Sequence, residues 1–377
     1  MLIATFPDDF ETPRLLLDID RLQRNADMMR KRCRDLGVQL RPHLKTSKSI
    51  EVARAVDARS ITVSTLKEAG YFARAGYRDI LYTASLVPAK IAHVARIARE
   101  TGTSVKCVTD NLDTVAQLAE KAARQDATID LLIEIDCGEH RSGLPSDDPE
   151  LVRLAAAISG ASGLRFQGLM THAGHSYNFA TPAEIRRIAV EERDAVLRAS
   201  GRLSREGIPC PIVSVGSSPT VLFADHLDGV TEVRCGIYLF WDLSQYARRC
   251  CALDQIAVSV LASVIGHNAH DRSLILDAGA LALSKDIGAN RFLPDAGYGY
   301  VCDVETLRRH GDLSVTVVHQ EHGTVPVTDD AWFTRLPVGS LVRIIPNHAC
   351  LTCAAYDHYD LIEGGAYAGG WPRINGW

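Results

Sequence analysis

Short apolar runs alternate with amphipathic segments along about the first 250 residues of the chain. In the longer segments the apolar residues recur every three to four positions, which predicts helices, whereas the short runs rich in Val, Ile and Leu predict buried strands. Eight strands are predicted in this region, at 38–42, 60–65, 79–83, 104–109, 129–136, 164–171, 211–216 and 231–235.

The segments between these strands predict connecting helices, at 20–33, 66–75, 88–99, 111–124, 148–159 and 182–205. Strands that alternate with helices pair in parallel through right-handed crossovers, and eight such units close into a barrel. We therefore predict an α/β fold with a (β/α)8 TIM-type barrel. The alternative is an open doubly wound sheet, but polar residues fall at the carboxyl ends of many strands rather than at one switch point.

After about residue 250 the pattern changes to β-type runs without long helices, at 257–266, 272–277, 313–319, 324–327 and 340–346. These runs predict a mainly antiparallel C-terminal β domain. The N-terminal strand near 15–17 is expected to join it. The predicted domains are 19–248 for the barrel and 1–18 plus 249–377 for the β domain.

The composition makes small-molecule chemistry the default expectation. The 377 residues carry a net charge of −5 with scattered Lys and Arg, which favours neither a nucleic-acid partner nor a membrane surface. No signal-peptide pattern and no run of 18 apolar residues occurs, so we expect a cytoplasmic protein. The ten cysteines do not have the spacing of a disulfide scaffold.

Lys45 is the first candidate for chemistry, within Arg-Pro-His-Leu-Lys-Thr-Ser-Lys at 41–48. It ends the first predicted strand, where a barrel presents side chains to an active site. Its amine can form a Schiff base if burial and neighbouring cations such as Arg41 and Lys48 lower its proton affinity. The alternative is a solvated basic loop.

Other strand ends carry polar residues too. Gly-Ser-Ser-Pro-Thr at 216–220 offers bare amides and hydroxyls at a helix start, which suits a phosphate, although it is also an ordinary turn. His172 ends the sixth strand and Arg141 lies in a Gly-rich turn, and both have structural alternatives. In the β domain, His348 and Cys350 are one residue apart. On an extended segment both would project from one face, and zinc favours imidazole with thiolate.

These motifs resemble the alanine-racemase-like (fold-type III) pyridoxal-phosphate (PLP) enzymes, from about residue 12 to the C-terminus. Arg-Pro-His-x-Lys-Thr at 41–46 with Asn-His-Ala-Cys at 347–350 is similar to the D-serine dehydratase and D-threonine aldolase branch. His-Ala-Gly-His-Ser-Tyr at 172–177 resembles the D-serine dehydratases, and Val-Arg-Cys-Gly-Ile at 233–237 resembles a segment of alanine racemase.

The resemblance implies a role for each residue. Lys45 would carry PLP and act as the catalytic base, with His172 against the ring, Arg141 beside the phenolic oxygen or the substrate carboxylate, and Arg234 facing the pyridine nitrogen. The remaining cofactor contacts would be Tyr177, Ser217, Ser218, Thr220, Gly236 and Ile237. His348 and Cys350 would hold a divalent metal, zinc before manganese or magnesium, with Cys353 a bystander. A homodimer is also implied.

The function implied is a PLP- and metal-dependent lyase of D-3-hydroxy amino acids. Elimination as in D-serine dehydratase would give a 2-oxo acid and ammonia. The alternatives are retro-aldol cleavage to glycine and an aldehyde as in D-threonine aldolase, amino-acid racemisation, and non-catalytic PLP binding. Two positions depart from the branch: Arg234, where arginine is not usual, and Ser47, where relatives often have histidine.

Overall fold

The structure is a computed structural model that describes residues 6–7 and 10–377. Its contacts divide the chain into two compact units. The barrel unit comprises Met29–Lys45, Asp57–Gly236 and Gly376–Trp377, and the β unit comprises the chain up to Met28, Thr46–Val56 and Ile237–Asn375. This division does not test the predicted domain boundaries, which stay a prediction.

Strands and helices alternate through the barrel unit and strands dominate the β unit. In chain order the strands are β1 (Arg14–Asp18), β2 (Gln39–Leu40), β3 (Ser60–Val63), β4 (Asp79–Ser85), β5 (Ser104–Thr109), β6 (Ile129–Asp136), β7 (Leu144–Pro145), β8 (Leu164–Thr171), β9 (Ile212–Val215), β10 (Glu232–Val233), β11 (Val258–Asn268), β12 (Ser273–Leu276), β13 (Gly299–Cys302), β14 (Arg309–Ser314), β15 (Val317–Val318), β16 (Gly323–Pro326), β17 (Leu341–Pro346), β18 (His358–Glu363) and β19 (Ala366–Pro372).

The helices are α1 (Ile19–Asp35), α2 (Ile50–Ala55), α3 (Leu66–Arg74), α4 (Ile91–Thr101), α5 (Val115–Arg124), α6 (Glu150–Gly160), α7 (Pro182–Arg205), α8 (Ser218–Phe223), α9 (Leu243–Tyr246), α10 (Ala280–Leu283), α11 (Ala331–Arg335) and α12 (Ala349–Cys353). Helix α7 matches its predicted bounds because Thr181 and Glu184 form a capping box before a proline in the first turn. Among the helices of the described residues, none is long and apolar enough to cross a membrane.

The barrel prediction is confirmed. Parallel strands lie in the order β2-β10-β9-β8-β6-β5-β4-β3, and a parallel bridge between His43 and Thr62 joins the chain after β2 to β3, which closes the ring. Each of the eight predicted strands has a counterpart, and β7 adds to β6. A buried cluster from neighbouring strands fills part of the core: Leu81, Val108, Leu132 and Met170.

The β unit is mainly antiparallel, as predicted. Its sheet runs β14-β13-β17-β11-β1-β18-β19, with β12 on β11 and β16, and β15 on β16. The N-terminal strand β1 joins it as expected, pairing antiparallel with β11 and parallel with β18. Leu16, Leu261 and Ile362 from these three strands pack together in the core. The sequence prediction missed β13, β18 and β19.

Candidate active site

A cavity of about 180 Å³ lies at the carboxyl ends of the barrel strands. It brings together four of the predicted site residues: Lys45, Arg141, His172 and Arg234. The other lining residues are His43, Ser64, Thr83, Ala84 and Met170. Parallel strands end at one rim of a barrel, which is why residues far apart in the sequence meet here.

Lys45 is exposed, and its backbone N–H lies 3.3 Å from Nδ1 of His43. Arg41 was expected to lower the proton affinity of the lysine amine. Instead its guanidinium is paired with Glu232 and Asp79, each at 2.9 Å. Two carboxylates therefore compensate the charge of Arg41.

His172 follows the end of β8, and its Nδ1 donates a hydrogen bond to the carbonyl oxygen of Gly216. Burial lowers the pKa of His172 to about 3, and the charge of Lys45 adds to this effect. The imidazole is therefore neutral at physiological pH. Since the proton is on Nδ1, the lone pair is on Nε2.

Glu192 accepts hydrogen bonds from three residues near this rim and was not among the predicted site residues. It is 1% exposed, and one carboxylate oxygen accepts the N–H groups of Ala173 (2.9 Å) and Gly216 (3.0 Å). The other oxygen accepts the hydroxyl proton of Thr220 at 2.7 Å. A signal existed: Glu192 is a charged residue on the buried stripe of α7, which includes Ile188 and Ala195.

The start of α8 has the features of an anion cradle. Ser217 caps the helix by accepting from the N–H of Thr220. The hydroxyl of Ser218 is buried and has no hydrogen-bond partner within residues 6–7 and 10–377. A β carbon at Gly216 would lie 2.7 Å from the backbone nitrogen of Arg234. That close approach of two backbone segments explains the glycine, and the orphaned hydroxyl of Ser218 is the feature that fits a phosphate group. Because the one proton of Thr220 goes to Glu192, that hydroxyl supports the loop.

Arg234 is buried against the cavity and donates to Ser214 Oγ and to the carbonyl oxygen of Thr171, both at 2.6 Å. Burial lowers its pKa from the ordinary arginine value. Arg141 is half exposed, with Nη1 3.4 Å from Glu139 and Nη2 3.9 Å from the buried Glu134. Burial raises the pKa of Glu134.

Six predicted cofactor contacts do not line the cavity in the described part of the chain. Three of them lie at the start of α8: Ser217, Ser218 and Thr220. Tyr177 lies in the 3-10 turn Gly174–Asn178. Gly236 ends its segment of the barrel unit, and a β carbon there would lie 2.3 Å from the carbonyl oxygen of His43. Ile237 begins the next segment, in the β unit.

His348 and Cys350 lie at the start of α12, so the expectation of an extended segment is wrong. The chain turns into a helix here because Asp242 accepts the backbone N–H of Ala349 at 2.9 Å. The two side chains still meet. Burial acts to lower the pKa of His348, but hydrogen bonds with Asp286 and Cys350 outweigh it and raise that pKa to about 11.

The surroundings of this pair come from the β unit. Asp286 Oδ2 lies 2.8 Å from His348 Nδ1, and Thr46 Oγ1 lies 3.0 Å from Cys350 Sγ. Within the described ranges, no group of three or more His, Cys, Asp or Glu is arranged to hold a metal. Cys353 is buried, and burial raises the pKa of its thiol to about 12, which disfavours a ligand role.

Two family models match the chain. One, described as alanine racemase, N-terminal domain, covers residues 17–244, and the other, described as putative serine dehydratase domain, covers residues 257–362. The D-threo-3-hydroxyaspartate dehydratase of Delftia sp. (strain HT23) is 42% identical over 374 residues, which cover 97% of this chain and 98% of that protein.

Two further relatives are similar over nearly the whole length. The D-serine dehydratase of Dictyostelium discoideum is 30% identical over 94% of both chains. The D-threonine aldolase of an Arthrobacter species is 32% identical over 96% of this chain and 91% of that one. Among solved structures, a cysteine-to-alanine mutant of D-threo-3-hydroxyaspartate dehydratase in the metal-free form has a TM-score of 0.94 and 41% identity, covering 98% of this chain and 99% of that one.

Proposed function

The chain belongs to the fold-type III family of PLP enzymes, with an alanine racemase-type barrel and a serine dehydratase-type second domain, and on this premise we propose that it catalyses β-elimination. It is a lyase of D-3-hydroxy amino acids. The net reaction would convert the substrate to a 2-oxo acid and ammonia. The choice of elimination is carried by the 42% identity with a dehydratase, against 32% with an aldolase.

The barrel residues fit PLP. The orphaned hydroxyl of Ser218 suits the phosphate, and Arg234 suits the pyridine nitrogen. A guanidinium gives up its proton with difficulty, so Arg234 would hold that nitrogen without protonating it. When bound through Lys45, PLP would supply an electron sink for charge that develops at the substrate Cα.

The chain's own residues have separate tasks in this proposal. The amine of Lys45 takes the α-proton, as a general base. The neutral His172 is fixed by its hydrogen bond to Gly216 and would pack on the cofactor ring, while Arg141 would hold a carboxylate. A divalent metal on His348 and Cys350 would act as a Lewis acid on the β-hydroxyl, which makes hydroxide a better leaving group.

Zinc is the proposed metal because imidazole and thiolate suit it, whereas magnesium and manganese prefer oxygen ligands. The first substrate to test is D-threo-3-hydroxyaspartate, the substrate in the name of the 42% identical relative, and the second is D-serine. A homodimer and a cytoplasmic location stay predictions.

The test is an assay of the purified protein with D-threo-3-hydroxyaspartate, D-serine and D-threonine, with and without a chelator. We expect 2-oxo acid and ammonia in equal amounts, lost with the chelator and restored by Zn²⁺. Glycine with an aldehyde would move the assignment to the aldolase. Lys45→Ala should lose the cofactor absorbance and retain bound zinc, which would show that PLP and the metal are held by different residues. A wild type that shows cofactor absorbance but no product from any substrate would contradict the proposed reaction.

A further inference from the structure

The segment that follows Lys45 is held at three consecutive carbonyl groups by the C-terminal part of the β unit. Nη2 of Arg373 donates to the carbonyl oxygen of Thr46 at 3.2 Å. The carbonyl of Ser47 accepts from Tyr359 Oη at 2.6 Å and from Arg373 Nε at 3.3 Å. The backbone N–H of Ile374 donates to the carbonyl of Lys48 at 2.9 Å.

The conformation of this segment needs such support. Lys48 has a φ of +46°, in the left-handed region that costs a residue with a side chain about 1–2 kcal/mol. A residue stays there when its surroundings hold it. The C-terminal hydrogen bonds therefore set the course of the chain at Thr46–Lys48.

Arg373 also binds the chain segment that follows Cys350. It is 6% exposed, and Nη1 donates to the carbonyl oxygens of Cys353 and Tyr356, the latter at 2.6 Å, and to Asn375 Oδ1 at 2.8 Å. The partners of Arg373 are uncharged oxygen atoms, and its guanidinium hydrogen-bonds to two chain segments at once. One segment follows Cys350 and the other contains Thr46.

Thr46 connects the hydrogen bonds of Arg373 to the metal pair. It is 3% exposed, and its hydroxyl lies 3.0 Å from Cys350 Sγ. A thiolate bound to a metal has no proton to donate, so in that state the hydroxyl of Thr46 must be the donor. A hydrogen bond from a fixed donor selects one orientation of the sulfur, as outer hydrogen bonds commonly do for metal ligands.

We propose that Thr46 and Arg373 are positioning residues for the metal pair. Arg373 fixes the backbone of Thr46, and the Thr46 hydroxyl then aims the sulfur of Cys350. The inference rests on the proposed function, since it requires a metal on His348 and Cys350. It also assigns a role to Arg373, because Arg373 holds the backbone of Thr46, the residue that follows Lys45.

The test is metal binding by the full-length, PLP-loaded protein after chelator treatment and dialysis. Titration with Co²⁺ is followed by the thiolate-to-cobalt absorption band, and competition with Zn²⁺ gives the zinc affinity. Thr46→Val keeps nearly the same shape and removes the hydroxyl. We expect it to weaken metal binding about 10–100-fold and to alter the band. Thr46→Ser should restore both, and Arg373→Gln should weaken binding in the same direction.

Arg343 supplies the matched control. It is a buried arginine of the same unit, 3% exposed, and donates to Ser259 Oγ at 2.9 Å. Arg343→Gln should lower the melting temperature and leave Co²⁺ affinity unchanged. Equal Co²⁺ affinity and an unchanged band in Thr46→Val and the wild type would overturn the inference alone. Absence of the band in the wild type would overturn the proposed metal pair, and the inference with it.

Discussion

Asp286 holds the ring of His348: Oδ2 of the carboxylate lies 2.8 Å from Nδ1 of the imidazole. A carboxylate accepts hydrogen bonds, so Nδ1 carries a proton, and Nε2 is the nitrogen that a metal would bind in place of its own proton. Asp286 is itself fixed, since its Oδ1 accepts the N–H of Gly288 at 2.7 Å. The histidine is therefore oriented before any metal binds.

Asp286→Ala should reduce zinc affinity about 10–100-fold, the usual effect of removing a carboxylate behind a histidine ligand. Asp286→Asn should be milder because its amide oxygen can still accept from Nδ1. Zinc retained after dialysis against graded chelator measures the change. Asp303 caps a turn in the same unit through Thr306, and Asp303→Asn is the control that should retain zinc. Unchanged affinity in Asp286→Ala would mean that His348 is held by other contacts.

The barrel rim could be predicted from the sequence, whereas the surroundings of the metal pair could not. Alternating strands and helices imply a closed parallel sheet, and the carboxyl ends of such a sheet converge, which places Lys45, His172 and Arg234 together. Asp286 and His348 are 62 positions apart and Thr46 and Cys350 are 304 apart, on elements whose packing no local periodicity specifies.

The missed strands of the β unit have a similar explanation. Strand β19 has the sequence Ala-Tyr-Ala-Gly-Gly-Trp-Pro, and no position in it is fully buried. Its residue types do not alternate between apolar and polar, so the pattern does not predict a strand. Pairing with β18 makes it a strand. The start of α12 was missed because Asp242, far from it in the sequence, accepts the N–H of Ala349.

Glu192 should matter for its shape and hydrogen bonds more than for its charge. In Glu192→Gln the amide oxygen can accept from Ala173 and Gly216, and the amide nitrogen can donate to Thr220. Burial raises the pKa of Glu192, and a neutral amide escapes that desolvation cost. We expect Glu192→Gln to bind PLP nearly as the wild type does.

Glu192→Met should instead leave two buried N–H groups without partners, each at a cost of about 1–3 kcal/mol. Its PLP affinity, measured by absorbance titration, and its melting temperature should both fall. Glu191 is the adjacent, half-exposed residue, paired with Arg187 at 2.6 Å, and Glu191→Met should change neither quantity. Weak PLP binding in Glu192→Gln would show that the charge itself is required.

The ion pairs of Arg41, the residue that follows β2, make the free energy of unfolding depend on pH. Burial acts to raise the pKa of Asp79, but the hydrogen bond and charge of Arg41, and then Lys106, outweigh it and lower that pKa below 3.8. A carboxyl group with a lowered folded pKa stabilises the fold above its unfolded pKa, and this contribution is lost as the pH falls through the folded value.

Asp79→Asn should cost about 1.5 kcal/mol at pH 7, the low end for a charged hydrogen bond because the side chain is 42% exposed. Urea unfolding should show this difference in full from pH 7 to 5 and a progressive loss as the pH falls below 3.8. Asp57→Asn, which removes an exposed pair with Arg59 at 3.7 Å, should show no difference, and an Asp79→Asn effect that did not decline below pH 3.8 would refute the assignment.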